Sequence, residues 1–154
     1  MEILLKMIEQ FTLSFLSAVG FAFIWRVPQN RMYLAGLAGA GGWMVYWACR
    51  EFGVGNTVST FWCALTIAWL SYIIARKTHT PATLYNIPGI TSVVPGGTSY
   101  KMMHSLFVGD YHQAVEYGIQ VIALAGAIAG GLIIFEIARR NYKPVIVTKI
   151  KKAQ

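Results

Sequence analysis

Between Phe52 and Ala75 the chain runs for 24 residues without one charged side chain. An α-helix rises about 1.5 Å per residue, so such a run covers the roughly 30 Å of hydrocarbon in a bilayer. Three further runs resemble it. Met7–Trp25 is charged only at Glu9, Met32–Cys49 has 18 uncharged residues, and Tyr117–Phe135 has 19. Only 12% of the 154 residues are charged. A soluble domain uses roughly 25%. The polar residues gather between the runs, which predicts an all-α, polytopic integral membrane protein.

The first run does not read as a cleaved leader. Its first nine residues carry two glutamates against one lysine, and the small residues of "SAVGFA" are followed by more apolar chain. A retained span is expected. The two cysteines, Cys49 and Cys63, match no metal or redox spacing and read as small core residues.

A fifth segment, Thr78–Tyr100, is also free of charge but contains most of "NIPGITSVVPGGTSYK", residues 86–101, with two prolines and three glycines before a lysine. Loop charge decides whether it crosses, because Lys and Arg stay on the cytoplasmic side. With five crossings and the N-terminus outside, ten basic residues fall inside: Arg26, Arg31, Arg76, Lys77, Arg139, Arg140, Lys143, Lys149, Lys151 and Lys152. Only Lys6 and Arg50 fall outside, and Lys101 lies in the fourth span. A four-span arrangement scatters the same residues over both sides. The expectation is therefore five transmembrane helices, N-out and C-in, over residues 1–140, the fourth broken by Pro and Gly. A basic cytoplasmic tail follows at 141–154, suited to anionic lipid.

The second run carries Gly36, Gly39, Gly41 and Gly42, and the fifth carries Gly126 and Gly130 at GxxxG spacing beside Ala123, Ala127 and Gly131. Small residues four apart let helix backbones approach closely where lipid gives no hydrophobic drive to associate. Gly36, Gly39, Gly42, Gly126 and Gly130 are thus expected at helix contacts, either as static packing or as a sliding surface. Trp25, Tyr33, Trp47 and Tyr72, near span ends, suit the interfacial aromatic belts.

The broken segment is the candidate site. Pro88 and Pro95 each remove a backbone donor and are expected to interrupt the helix, while Gly89, Gly96 and Gly97 permit unusual backbone angles. Backbone groups freed at membrane depth need protein, water or a ligand as partners. Discontinuous helices of secondary transporters meet that need by presenting half-helix N-termini to anionic groups. A helix restarting near Thr98 would offer the Gly96 and Gly97 amides, the Thr98 and Ser99 hydroxyls, the Tyr100 phenol and the Lys101 ammonium, with His104 one turn on. Each has a plainer reading. Lys101 snorkels to the outer interface, His104 is a packing residue, and Asn56, Thr57, Ser59 and Thr60 bond to their own helix rather than line a cavity. His79, His104 and His112 form no catalytic arrangement, and no metal-ligand cluster, nucleophile–base pair or phosphate loop is present in the sequence. Neither an enzyme nor a cofactor is expected.

"SAVGFAFIWRVPQNRMYLAGLAGAGGW", "NTVSTFWCA" and above all "IPGITSVVPGGTSYKMM" resemble the threonine/serine exporter (ThrE) family, most closely its short stand-alone membrane subunit of the YjjB-like type. The order of elements matches over roughly residues 15–140. The resemblance implies a larger partner subunit similar to the first half of the full-length exporters (YjjP-like), a bacterial inner-membrane location, and efflux of small metabolites of the threonine/serine or succinate class. It carries Pro88, Gly89, Pro95, Gly96 and Tyr100 over as signature positions. Lys101 lies outside the pattern and rests on the physical argument alone. The expected function is that of one subunit of a two-component secondary exporter for small carboxylates or amino acids. The alternatives are a non-transporting scaffold for the partner subunit and a passive pore.

Overall fold

The computed structural model describes residues 2–141, and these form six helices joined by short connections. They are α1 (Glu2–Ile24), α2 (Gln29–Glu51), α3 (Asn56–Thr78), α4 (Thr83–Thr91), α5 (Gly96–Val108) and α6 (Tyr111–Asn141), with no strand among the described residues. Of the tail expected at 141–154, only Asn141, the last residue of α6, falls within them. By length and composition, α1, α3 and α6 are apolar enough to cross a membrane. α2 has the length, 23 residues, but its many glycines and alanines make it less apolar.

α1, α2 and α3 alternate in direction. Small residues on α2 set the spacing on both of its sides, with Gly36 against Phe15 and Val19 of α1, and Gly42 against Ile67 and Cys63 of α3. A methyl group placed on Gly36 would come within 2.7 Å of the Phe15 ring. The α1–α2 turn and the end of α3 close over one buried cluster of Ala22, Val27, Ala35, Ala75 and Tyr85. Gly39 likewise lies against Ala18 of α1.

α3 and α6 run parallel. Gly131 lies on the Phe61–Leu65 backbone, and seven residues beyond Leu65 the Tyr72 ring meets Phe135 edge-on, 5.8 Å between centroids. Counting back from that register, the first dozen or so residues of α6, about 20 Å of helix, extend past the start of α3. α5 packs along this extension, with Met102 Sδ at Gly118, and it touches no other helix among the described residues. The pair expected at GxxxG spacing is corrected here. A Cβ on Gly126 would meet nothing within 4 Å, Gly130 sits loosely by Phe61, and the tight approach falls one residue on at Gly131. The parallel crossing with α3 selects the 124–128–131 stripe, so Leu124, Ile128 and Gly131 are buried while Gly126 points away.

The segment after α3 also departs from expectation. His79 ends α3 in the left-handed region, at φ 53°, and turns the chain back so that α4 inserts between α1, α2 and α3. The Tyr85 hydroxyl, fully buried, bonds to Thr78 at 3.0 Å and Thr80 at 3.1 Å and pins the start of α4 to the end of α3. Pro88 does not interrupt the helix. It sits inside α4, buried, where its missing N–H forfeits one bond to the Leu84 carbonyl and the turns on either side continue. The single break is Ser92–Pro95.

Candidate functional site

α4 ends halfway down the bundle because its position is set from above by Tyr85 and from the side by glycine. A methyl group on Gly89 would lie 2.9 Å from Ile67 Cγ2, and one on Gly39 would lie 2.7 Å from Ala18 Cβ and 3.2 Å from Gly89 Cα. This contact puts the end of α4 beside α1 and α2. Between them is a cavity of about 240 Å³ lined by Gln10, Leu13, Ser14 and Ser17 of α1, Trp43 of α2, and Ser92, the first residue of the break.

The lining is mainly apolar surface with a few polar groups, and none of its side chains is ionisable. The Trp43 indole donates to Gln10 Oε1 at 2.8 Å. Indole N–H is a donor only, so this bond fixes the Gln10 carbonyl and leaves the two amide N–H groups as its remaining donors. The hydroxyls of Ser14 and Ser92 are buried and make no hydrogen bond. A buried, unpaired hydroxyl costs about 1–3 kcal/mol, and both serines are among the residues that line this cavity, their oxygens tucked behind its surface. The α4 C-terminus, the negative dipole end, also reaches this cavity through Ser92 and favours positive charge there, with the Pro88 carbonyl accepting from the Thr91 hydroxyl and the Ile90 carbonyl from the Val93 and Val94 amides.

The residues expected to form the site separate into two groups. Pro88 and Gly89 are buried in the α2–α3–α4 contact and shape the backbone rather than offer groups. Gly96, Gly97, Thr98, Ser99, Tyr100, Lys101 and His104 lie on α5, outside the cavity lining. The helix starts at Gly96, two residues earlier than expected, with Pro95 at its N-cap. The Gly96 amide is not open, since it donates to Val94 O at 2.7 Å. The Ser99 amide and hydroxyl both return to Pro95 O, at 2.9 and 2.8 Å. That leaves Gly97 and Thr98 as the first-turn amides without an intrahelical acceptor. Tyr100 and His104 do share a face, their rings 6.2 Å apart, but Tyr100 is 70% exposed and Lys101 and His104 are exposed as well.

The hydroxyls at the start of α3 bond to their own helix. Ser59 reaches Gly55 O at 3.0 Å and Thr60 reaches Asn56 O at 2.9 Å, while Asn56 Oδ1 accepts from Tyr46 at 2.7 Å. Gln10, Ser14, Ser17 and Trp43 were missed because each is unremarkable in an apolar run. Their shared signal is a polar residue every three or four positions along one face of α1, at 10, 14 and 17.

Described residues that are all helix or short connection, with three apolar helices of membrane-crossing length, make a helical membrane protein. The family profile described as "Threonine/Serine exporter, ThrE" matches residues 10–138, and the chain belongs to that family of exporter-type membrane proteins. An uncharacterized protein of Haemophilus influenzae (strain ATCC 51907 / DSM 11121 / KW20 / Rd) is 22% identical over 151 residues, covering 93% of this chain and 51% of that protein. The chain thus spans about half the length of the curated relative it matches. No solved structure matches it.

Proposed function

We propose that the protein is a membrane subunit of a two-component secondary exporter, and that the cavity between α1, α2 and the α4–α5 break holds the substrate. The carrying observation is the pair of buried, unpartnered hydroxyls of Ser14 and Ser92, two of the residues lining that cavity. Family membership supplies the activity class. In this reading α1, α2, α3, α4 with α5, and α6 make five crossings of a bacterial inner membrane, N-out and C-in. Support for the orientation comes from the basic side chains. Arg26 and Arg31 at the α1–α2 turn, Arg76 and Lys77 ending α3, and Arg139 and Arg140 ending α6 gather at one end of the bundle.

The absence of a charged side chain from the lining favours one substrate class. A dicarboxylate would enter with two uncompensated negative charges, a costly burial, whereas a zwitterionic amino acid brings its own counter-charge. Its ammonium suits the carbonyl end of α4, and its carboxylate and hydroxyl suit the serine hydroxyls and the Gln10 amide. A small hydroxy amino acid is therefore favoured over succinate, with export coupled to a proton or substrate gradient. A relative about twice this length is consistent with a larger YjjP-like subunit supplying the remainder.

The test is efflux from cells expressing both subunits, comparing wild type with Ser14→Ala, Ser92→Ala and the double variant. Raised half-saturation for a hydroxy amino acid, with both subunits still in the membrane, is expected. Unchanged export by the double variant would rule out this cavity. The exposed Tyr100, Lys101 and His104 on α5 favour a second reading, in which α5 is the surface that meets the partner and the chain acts as its scaffold. In that case Lys101→Met and Tyr100→Ala weaken co-purification of the two subunits, while the serine variants leave export intact.

A further inference from the structure

The parallel packing of α3 and α6 brings two basic helix ends together, and the substrate reading makes no use of them. Arg76 and Lys77 close α3, and Arg139 and Arg140 close α6. Tyr72 stands between the two helices. The Arg76 guanidinium carbon is 5.8 Å from its ring centroid and that of Arg139 is 5.4 Å away. Phe135 packs edge-on against the same ring and fixes its plane. Glu136 pairs with Arg139 through both carboxylate oxygens. Among the described residues these two helix ends thus carry four cations and one carboxylate, Glu136, where α6 has α3 as its helical neighbour and α5 lies along the opposite half of α6.

A guanidinium held over an aromatic ring is restrained; Arg76 keeps its fork of edge N–H groups for phosphate oxygens, whereas Arg139 gives its Nε and Nη2 to Glu136 and has its Nη1 left to offer. In a membrane this seam lies at the headgroup level, since both helices end there after crossing-length apolar runs. We infer that the α3–α6 seam is a binding site for the phosphate of an anionic glycerophospholipid. Arg76 and Arg139 contact the phosphate, Tyr72 is the plate that positions them, and Lys77 and Arg140 supply flanking charge. The acyl chains run down the groove between the two helices, past half-buried Phe135 and Leu132.

The full chain, purified in a neutral detergent, is titrated with phosphatidylglycerol or phosphatidylcholine, and bound lipid is counted by native mass spectrometry. One phosphatidylglycerol should be retained at concentrations where phosphatidylcholine is not. The variant Arg76→Gln/Arg139→Gln should lose at least tenfold in apparent affinity with unchanged helical circular dichroism. Arg76→Lys, which keeps the charge but loses the fork and the stacking, should lose severalfold, and Arg31→Gln, one charge removed at the same end, should bind as wild type. Equal retention of the two lipids, an unaffected double variant, or an equal loss in Arg31→Gln would overturn the site, the last by reducing it to diffuse charge. Displacement by soluble glycerol phosphate at the concentration of the lipid would also overturn it, because the ligand would then be a free phosphate.

Discussion

Gly39 on α2 and Gly89 on α4 meet backbone to backbone. A methyl group on Gly39 would stand 3.2 Å from Gly89 Cα, and one on Gly89 would stand 3.5 Å from Gly39 Cα. This contact admits α4 among three longer helices, and the serine-lined cavity lies where α4 then ends.

Gly39→Leu should accordingly be severely destabilising, because the added atoms face Ala18 and the Gly89 backbone rather than a movable side chain. A loss of about 1–3 kcal/mol or more is expected for such overpacking. Gly126→Leu, at a position open within 4 Å, should leave the melting temperature of the purified chain unchanged. Thermal denaturation in detergent, followed by far-ultraviolet circular dichroism, separates the two.

Tyr85→Phe removes a buried hydroxyl that joins Thr78 and Thr80. The expected cost is about 1–2 kcal/mol, since the threonine hydroxyls lose a partner inside the fold. Thr78 retains its bond to Ile74 O at 2.9 Å and Thr80 its 2.6 Å bond to the Thr78 hydroxyl, so each loses one of its partners rather than all of them. Adding Thr80→Ala to Tyr85→Phe should therefore cost less than the sum of the single changes, a coupling that a double-mutant cycle measures.

Pro88→Ala and Pro95→Ala should differ. Pro88 lies within continuous helix, so its replacement restores one backbone donor and leaves the break where it is. Export is expected within a few-fold of wild type. Pro95 caps α5 and closes the break, so alanine there lets helix extend across Ser92–Pro95 and should reduce export by tenfold or more. Equal effects of the two substitutions would contradict the single-break geometry.

Trp43→Phe keeps the aromatic wall of the cavity but releases the Gln10 carbonyl. The freed amide can then turn its acceptor toward the substrate, so the preference among hydroxy amino acids should shift while folding changes by about 1 kcal/mol. Competition of unlabelled amino acids against labelled efflux measures it.

The helices were legible from the charge-free runs because membrane burial imposes a demand that composition displays directly. Gly36, Gly39 and Gly42 were legible for a related reason, as glycine on an apolar helix has few uses besides close contact. Gly126 was misread because GxxxG spacing names a stripe, and only the angle between α3 and α6 determines which stripe faces in. Pro88 was misread as a break because a proline reports a lost donor, whereas whether the helix stops depends on the packing around it. The cavity was the least visible feature. Its hydroxyls and amide come from α1, α2 and the break, dispersed between residues 10 and 92, and each alone passes for a tolerated polar residue in an apolar helix.

The fourth apolar segment is shared between two bodies. α4 is held by α1, α2 and α3, whereas α5 is held by α6. Ser92–Pro95 is the covalent joint between them, and Ser92 also lines the cavity. If the α5–α6 hairpin rocks on the α3 seam, the rotation is taken up at this joint, and the wall of the cavity turns with it. Occupancy of the cavity and the angle between the two bodies are then mechanically the same variable.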